Sequence, residues 1–164
     1  MPLRRLTVLS GSDPAVRAEH VAAATRLGAL LAENSITLVY GGATQGAVAA
    51  LAEAVRTAEG SAVTAPAEEL AELGDGVVAL PGGPATLAEL FAIALPEQGD
   101  GSKPCGLLNT ADYYSELLKT GDDGVIERFV RETQRGCLVV ERDPALLLRA
   151  LADFRPPETR RHSA

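Results

Sequence analysis

Three stretches of the chain set glycine beside small polar residues where an apolar run ends: Ser10-Gly11-Ser12-Asp13, Gly41-Gly42-Ala43-Thr44-Gln45-Gly46 and Pro81-Gly82-Gly83-Pro84-Ala85-Thr86. A helical pattern follows each of them. Glycine lets backbone approach a ligand closely, and the first turn of a helix presents unpaired N–H groups and a partial positive charge. Together these suit an anion, above all a phosphate. One such turn is an ordinary strand-to-helix connection. Three converging on one sheet edge point to a phosphate-bearing ligand. After the third turn, Thr86-Leu87-Ala88-Glu89 has the spacing of a capping box, in which both side chains satisfy amides for about 1 kcal/mol.

The elements that must position these turns are legible as short apolar runs alternating with helical periodicity. Strands are expected at Leu6–Leu9, Ile36–Tyr40, Ser61–Ala65, Val77–Leu80, Cys105–Asn109 and Leu138–Val140. Between the first two, Val16, His20, Ala24, Leu27 and Leu31 recur at steps of three and four, with Asp13-Pro14 as the expected N-cap and first helical residue. Further helices are expected at Gln45–Ala58, Glu68–Leu73, Thr86–Leu95, Asp112–Lys119, Gly124–Thr133 and Pro144–Phe154. Residues 96–103 form a polar loop, and the chain from Arg155 reads as a frayed tail. Continuous apolar strands separated by helices mean a parallel sheet buried on both faces, with ligands at the strands' carboxyl ends. The expected fold is therefore an α/β, Rossmann-like three-layer sandwich with a parallel sheet of about six strands. Residues 1–154 make one nucleotide-binding domain, followed by the tail 155–164.

Composition narrows the function. The chain has 164 residues, 46% hydrophobic and 23% charged, with a net charge of −7. An acidic surface repels nucleic-acid polymers and anionic membranes. Aromatic residues are only 4% and Trp is absent, so a base-stacking platform is not expected. No apolar run reaches the roughly 18 residues of a membrane span. Cys105 and Cys137 sit in or beside apolar runs and read as buried, reduced thiols, which fits a cytoplasmic protein. With two Cys, two His and no Cys-x-x-Cys, no metal site is expected. The first turn is not Gly-x-Gly-x-x-Gly, strand two ends in Tyr40-Gly41 rather than an acidic residue, and neither a Gly-Lys-Ser/Thr nor a Gly-x-Ser-x-Gly sequence occurs. These absences disfavour a dinucleotide dehydrogenase, a P-loop and a serine-hydrolase elbow, and no cofactor is implied.

Leu-Val-Tyr-Gly-Gly (38–42) through Gly46, Leu-Pro-Gly-Gly-x-x-Thr-x-x-Glu (80–89), and Lys-Pro-Cys-Gly-Leu-Leu-Asn (103–109) with Tyr113-Tyr114 occur in that order. In this order they resemble the LONELY GUY (LOG) family over residues 6 to 153. The resemblance implies a Rossmann-like homodimer that hydrolyses the N-glycosidic bond of a nucleoside 5′-monophosphate to free base and ribose 5-phosphate, best known for releasing cytokinin bases. It makes Glu89 the catalytic carboxylate, beside a ribosyl cation or its attacking water. Gly82, Gly83 and Thr86 would hold the 5′-phosphate, and Ser12, Gly42 and Gly46 would border base and ribose. The expected partner is a nucleoside monophosphate or another small phosphate ester.

Three departures set against this an alternative, a catalytically silent nucleotide- or sugar-phosphate-binding protein or partner subunit. The family's Gly-Gly-Gly-x-x-Gly-Leu-Met-Gly becomes Gly41-Gly42-Ala43-Thr44-Gln45-Gly46-Ala47-Val48-Ala49. Its Pro-Gly-Gly-x-Gly-Thr becomes residues 81–86 with Pro84 and Ala85, which removes one amide and adds a methyl. Its Met-x-x-Arg-Lys helix before strand four, whose arginine is taken as catalytic, has no counterpart. Only about a dozen residues link Ala65 to Val77, barely enough for a parallel crossover. Arg17, Lys103 and Arg128 are the cations available to replace that arginine, and nothing in their spacing places them. His20, on the apolar stripe of its helix, reads first as a packed core or rim residue.

Overall fold

The computed structural model describes residues 3–94, 103–128 and 131–156. The tail beyond residue 156 and nearly all of the polar loop after residue 94 lie outside the described residues. In chain order the elements are β1 (Arg5–Leu9), α1 (Ala18–Glu33), β2 (Thr37–Tyr40), α2 (Gly46–Thr57), β3 (Ala62–Thr64), α3 (Ala67–Leu73) and β4 (Gly76–Ala79). Then come α4 (Pro84–Ala94), β5 (Cys105–Leu108), a 3-10 turn (Thr110–Asp112), α5 (Ser115–Ile126), α6 (Glu132–Arg135), β6 (Leu138–Glu141) and α7 (Pro144–Ala152). The six strands form one sheet in the order β3-β2-β1-β4-β5-β6. Every pairing is parallel, with Thr7 opposite both Val39 and Val77. The expected Rossmann-like sheet is present.

The pleat sends alternate strand residues to two apolar layers. Leu6, Val8, Leu38, Val78 and Leu108 pack with residues of α1, α2 and α7, including Leu27, Leu51 and Leu147. Val39, Val77, Ala79 and Leu107 pack on the other face with Leu70 of α3 and Leu90 of α4. Each fully buried leucine contributes about 1.5–3 kcal/mol, so the two layers hold the sheet between the helices. No helix among the described residues is long and apolar enough to cross a membrane.

Three boundaries differ from expectation. Helix α1 begins at Ala18, after Arg17, which makes no side-chain cap. Asp13 instead accepts from the Ala15 amide at 2.8 Å, closing a local turn. The segment between β1 and α1 lies against the start of α2, and this long-range packing overrides the Asp-Pro start signal. Helix α4 begins at Pro84, with the Leu87 amide bonded to the Gly83 carbonyl at 3.2 Å. Thr86 is thus the third helical residue and not the N-cap, so the capping-box reading is withdrawn. Beyond β5, one helix (Ser115–Ile126) runs through Gly121 and Gly124, and the next covers only Glu132–Arg135.

The crossover from β3 to β4 is compressed into the seven residues of α3. The buried Thr7 hydroxyl donates to the Leu70 carbonyl at 2.7 Å, and the Lys103 ammonium donates to the Ala71 carbonyl. These donors satisfy carbonyls near the end of a helix too short to stand alone.

Candidate functional site

The three glycine-rich turns leave β2, β1 and β4, which are neighbours at the centre of the sheet. All strands run the same way, so the turns emerge side by side along one rim, one strand spacing of about 4.8 Å apart. The chain reverses its lateral direction between β1 and β4, the place where open α/β sheets take ligands.

Contact as well as topology joins the first two turns. Gly46 has φ +76°, and a Cβ built on it would stand 2.9 Å from the Asp13 carbonyl oxygen and 3.0 Å from the Ser12 carbonyl carbon. A side chain there meets backbone that cannot swing away, so glycine is what lets the start of α2 close on the loop carrying Ser12. Gly42 also has φ +76°, but a Cβ built on it would meet the Thr64 side chain no closer than 3.4 Å. Ser12 is exposed, while Gly42 and Gly46 are half-buried.

At the third turn, a Cβ on Gly82 would stand 2.5 Å from the Thr86 hydroxyl, so the first turn of α4 folds back beneath the loop. Thr86 is buried, Gly83 is exposed with open space beside it, and Glu89 is exposed one turn further along α4. Helix α4 has its first 4→1 bond at Leu87, which leaves the Ala85 and Thr86 amides as N-terminal donors. The rim therefore has the N-terminal amides of Ala85 and Thr86 at the start of α4 and a carboxylate one turn beyond them.

A fourth segment clamps this loop, and its role was not read from the sequence. The Tyr113 hydroxyl donates to the Gly82 carbonyl at 2.7 Å, and the buried Tyr114 hydroxyl donates to the Leu80 carbonyl at 2.6 Å. The two rings meet edge to face, with centroids 4.9 Å apart. Burial pushes the Tyr114 phenol well above its ordinary range, which keeps it a donor. Asn109, at the end of β5, accepts from the Tyr114 amide at 2.7 Å. Ala111 and Asp112 take φ +53° and +58°, the local strain of a turn that brings both tyrosines onto the neighbouring strand's loop. The only advance signal was a Tyr-Tyr pair after a strand expected to lie in the sheet.

The three candidate cations separate. Lys103 precedes β5, at the opposite edge of the sheet, and is bonded to α3. Arg128 lies just past the end of α5 with φ +66°. Arg17 stands at the rim, where its guanidinium reaches Glu19 at 2.8 Å and His20 Nε2 at 3.0 Å. His20 is 6% exposed and its ring meets that of Tyr113 edge-on, centroids 5.9 Å apart. Burial, then the Arg17 charge, hold the His20 imidazole below its ordinary pKa, with Glu19 opposing. The unfolded chain therefore takes up this proton at a higher pH than the folded one, and stability falls as pH drops from above 6.5 toward the lower folded value. Wild type should lose more thermal stability than His20→Leu between pH 7 and pH 5. Parallel pH curves for the two proteins would contradict this.

Both cysteines are buried, and burial raises the Cys105 thiol to about 12, so it is no nucleophile.

A family model described as "Possible lysine decarboxylase" matches residues 31–151. The rice protein named probable cytokinin riboside 5′-monophosphate phosphoribohydrolase LOGL5 is 34% identical over 181 residues, covering 94% of this chain and 74% of that protein. The chain belongs to the LOG family. The Arabidopsis cytokinin riboside 5′-monophosphate phosphoribohydrolase LOG1 is 32% identical over 93% of this chain and 84% of its own length. An alignment of 181 residues against a LOG chain of 164 means that the rice relative carries residues with no counterpart here. Among solved structures, the molybdenum cofactor carrier protein of Chlamydomonas reinhardtii shares the fold, with TM-score 0.71 and 19% identity over 92% of this chain and 97% of that one.

Proposed function

We propose that this LOG-family protein is a phosphoribohydrolase that splits a nucleoside 5′-monophosphate into free base and ribose 5-phosphate. The ester would seat its phosphate on the amides at Gly82–Thr86, with Ser12, Gly42 and Gly46 bordering base and ribose. The C1′–N bond breaks as water adds its oxygen to C1′, and the departing base takes up a proton. Glu89 stabilises the positive charge that develops on the sugar or orients the water. The observation that carries this reading is the juxtaposition along one rim of three glycine turns with a carboxylate one helical turn past the third.

A second reading, binding without turnover, is favoured by one feature: the β3–β4 crossover is the seven-residue α3, with no room for an arginine-bearing helix. A panel of nucleoside 5′-monophosphates, including N6-substituted AMP, decides between the two. Release of base together with ribose 5-phosphate from at least one of them is expected. Tight binding across the panel with no base released would leave the silent binder.

A further inference from the structure

Arginine has only donors, so the 3.0 Å contact from Arg17 Nη2 to His20 Nε2 makes that ring nitrogen the acceptor. A neutral imidazole then carries its proton on Nδ1. That atom is buried and has no hydrogen-bond partner among the described residues. A buried donor without an acceptor costs about 1–3 kcal/mol, so such a group in a native protein calls for a reason. The ring stands against Tyr113, and the Tyr113 hydroxyl is bonded to Gly82 of the phosphate loop. Tyr113 thus links His20 to the loop, through its ring on one side and its hydroxyl on the other.

We propose that His20 is a sugar-recognition residue: its Nδ1–H donates to a hydroxyl oxygen of a sugar 5-phosphate, and Arg17 is the positioning residue that fixes the tautomer. The inference rests on the phosphate-ester reading of the rim and adds to it the group that reads the sugar. A ligand oxygen would satisfy the orphaned donor, whereas inorganic phosphate on the loop would not reach it.

The test is calorimetric titration of wild type, His20→Leu and His20→Asn with AMP, ribose 5-phosphate and inorganic phosphate. Leucine removes the donor, and asparagine returns an N–H near the position of Nδ1. His20→Leu should bind AMP and ribose 5-phosphate about tenfold more weakly, the worth of one hydrogen bond, and inorganic phosphate as wild type does. His20→Asn should recover most of the loss. Equal affinities in wild type and His20→Leu would overturn the proposal. So would an equal loss for inorganic phosphate, which marks a merely structural role, or a loss confined to AMP, which moves the contact to the base. If wild type binds inorganic phosphate but the His20 variants leave sugar phosphates unaffected, this inference alone fails. If wild type binds none of the three ligands, the phosphate-ester reading fails and takes this one with it.

Discussion

Replacing Glu89 with glutamine should cut base release by about a hundredfold or more while leaving AMP affinity within a factor of about three. Loss of one preorganised electrostatic partner of a developing charge costs about 10²–10³ in rate. Glutamine keeps the shape and hydrogen-bonding capacity of glutamate and removes the charge. Stability should not obscure the result. Glu89 is exposed on α4, where substitutions stay within about ±0.5 kcal/mol. The capping alternative is also gone, because the helix starts at Pro84 and Glu89 lies beyond its first turn. Equal rates of base release in wild type and Glu89→Gln would remove this carboxylate from the chemistry.

Gly46→Ala should destabilise the fold by about 2–5 kcal/mol and lower AMP affinity as well. Two costs combine at this position. The left-handed φ of +76° costs a non-glycine residue about 1–2 kcal/mol, and forcing a methyl into packed backbone costs about 1–3 kcal/mol more. The methyl meets the Asp13 carbonyl and Ser12 backbone, so relief has to come from moving the first turn away from the second. Gly42→Ala is the matched control. It has the same φ, but its nearest neighbour is a threonine methyl at 3.4 Å, so only the conformational cost of about 1–2 kcal/mol applies. Chemical denaturation with AMP titration separates the two variants. Indistinguishable behaviour would mean that the contact between the first two turns carries no weight.

The sheet was readable because each strand is a short continuous apolar run and each glycine cluster sits where such a run ends. The rim followed from that, since parallel strands deliver all their following turns to one edge. What stayed hidden depended on contacts far apart in sequence. The clamp of Tyr113 and Tyr114 on the Gly82 and Leu80 carbonyls joins residues more than thirty positions apart, and nothing local specifies it. The start of α1 was misread for a related reason. Asp13-Pro14 is a sound helix opening in isolation, but the Gly11–Asp13 backbone packs against Gly46 and the helix waits until Ala18. The same preference for proline in the first helical position, applied to Pro84, gives the correct start of α4 and removes Thr86 from the cap. His20 was read as a packed residue, and it is packed. Its orphaned nitrogen depends on where Arg17 and Tyr113 fall, which periodicity does not report.

The β3–β4 crossover is short, built on the seven residues of α3. Sequence alone exposed it, by counting the residues between Ala65 and Val77. The structure adds that the remaining turns of helix are fastened by Thr7 and Lys103, which occupies one of the cations that could have served the site. Arg17 is the candidate cation that remains at the rim.

If amides at adjacent strand ends grip a phosphate monoester, calorimetric titration of the wild-type protein with AMP and ribose 5-phosphate shows it. Saturable heat is expected for both, with each ligand displacing the other and Gly46→Ala weakening both. No heat at millimolar ligand, or independent binding of the two compounds, would contradict it.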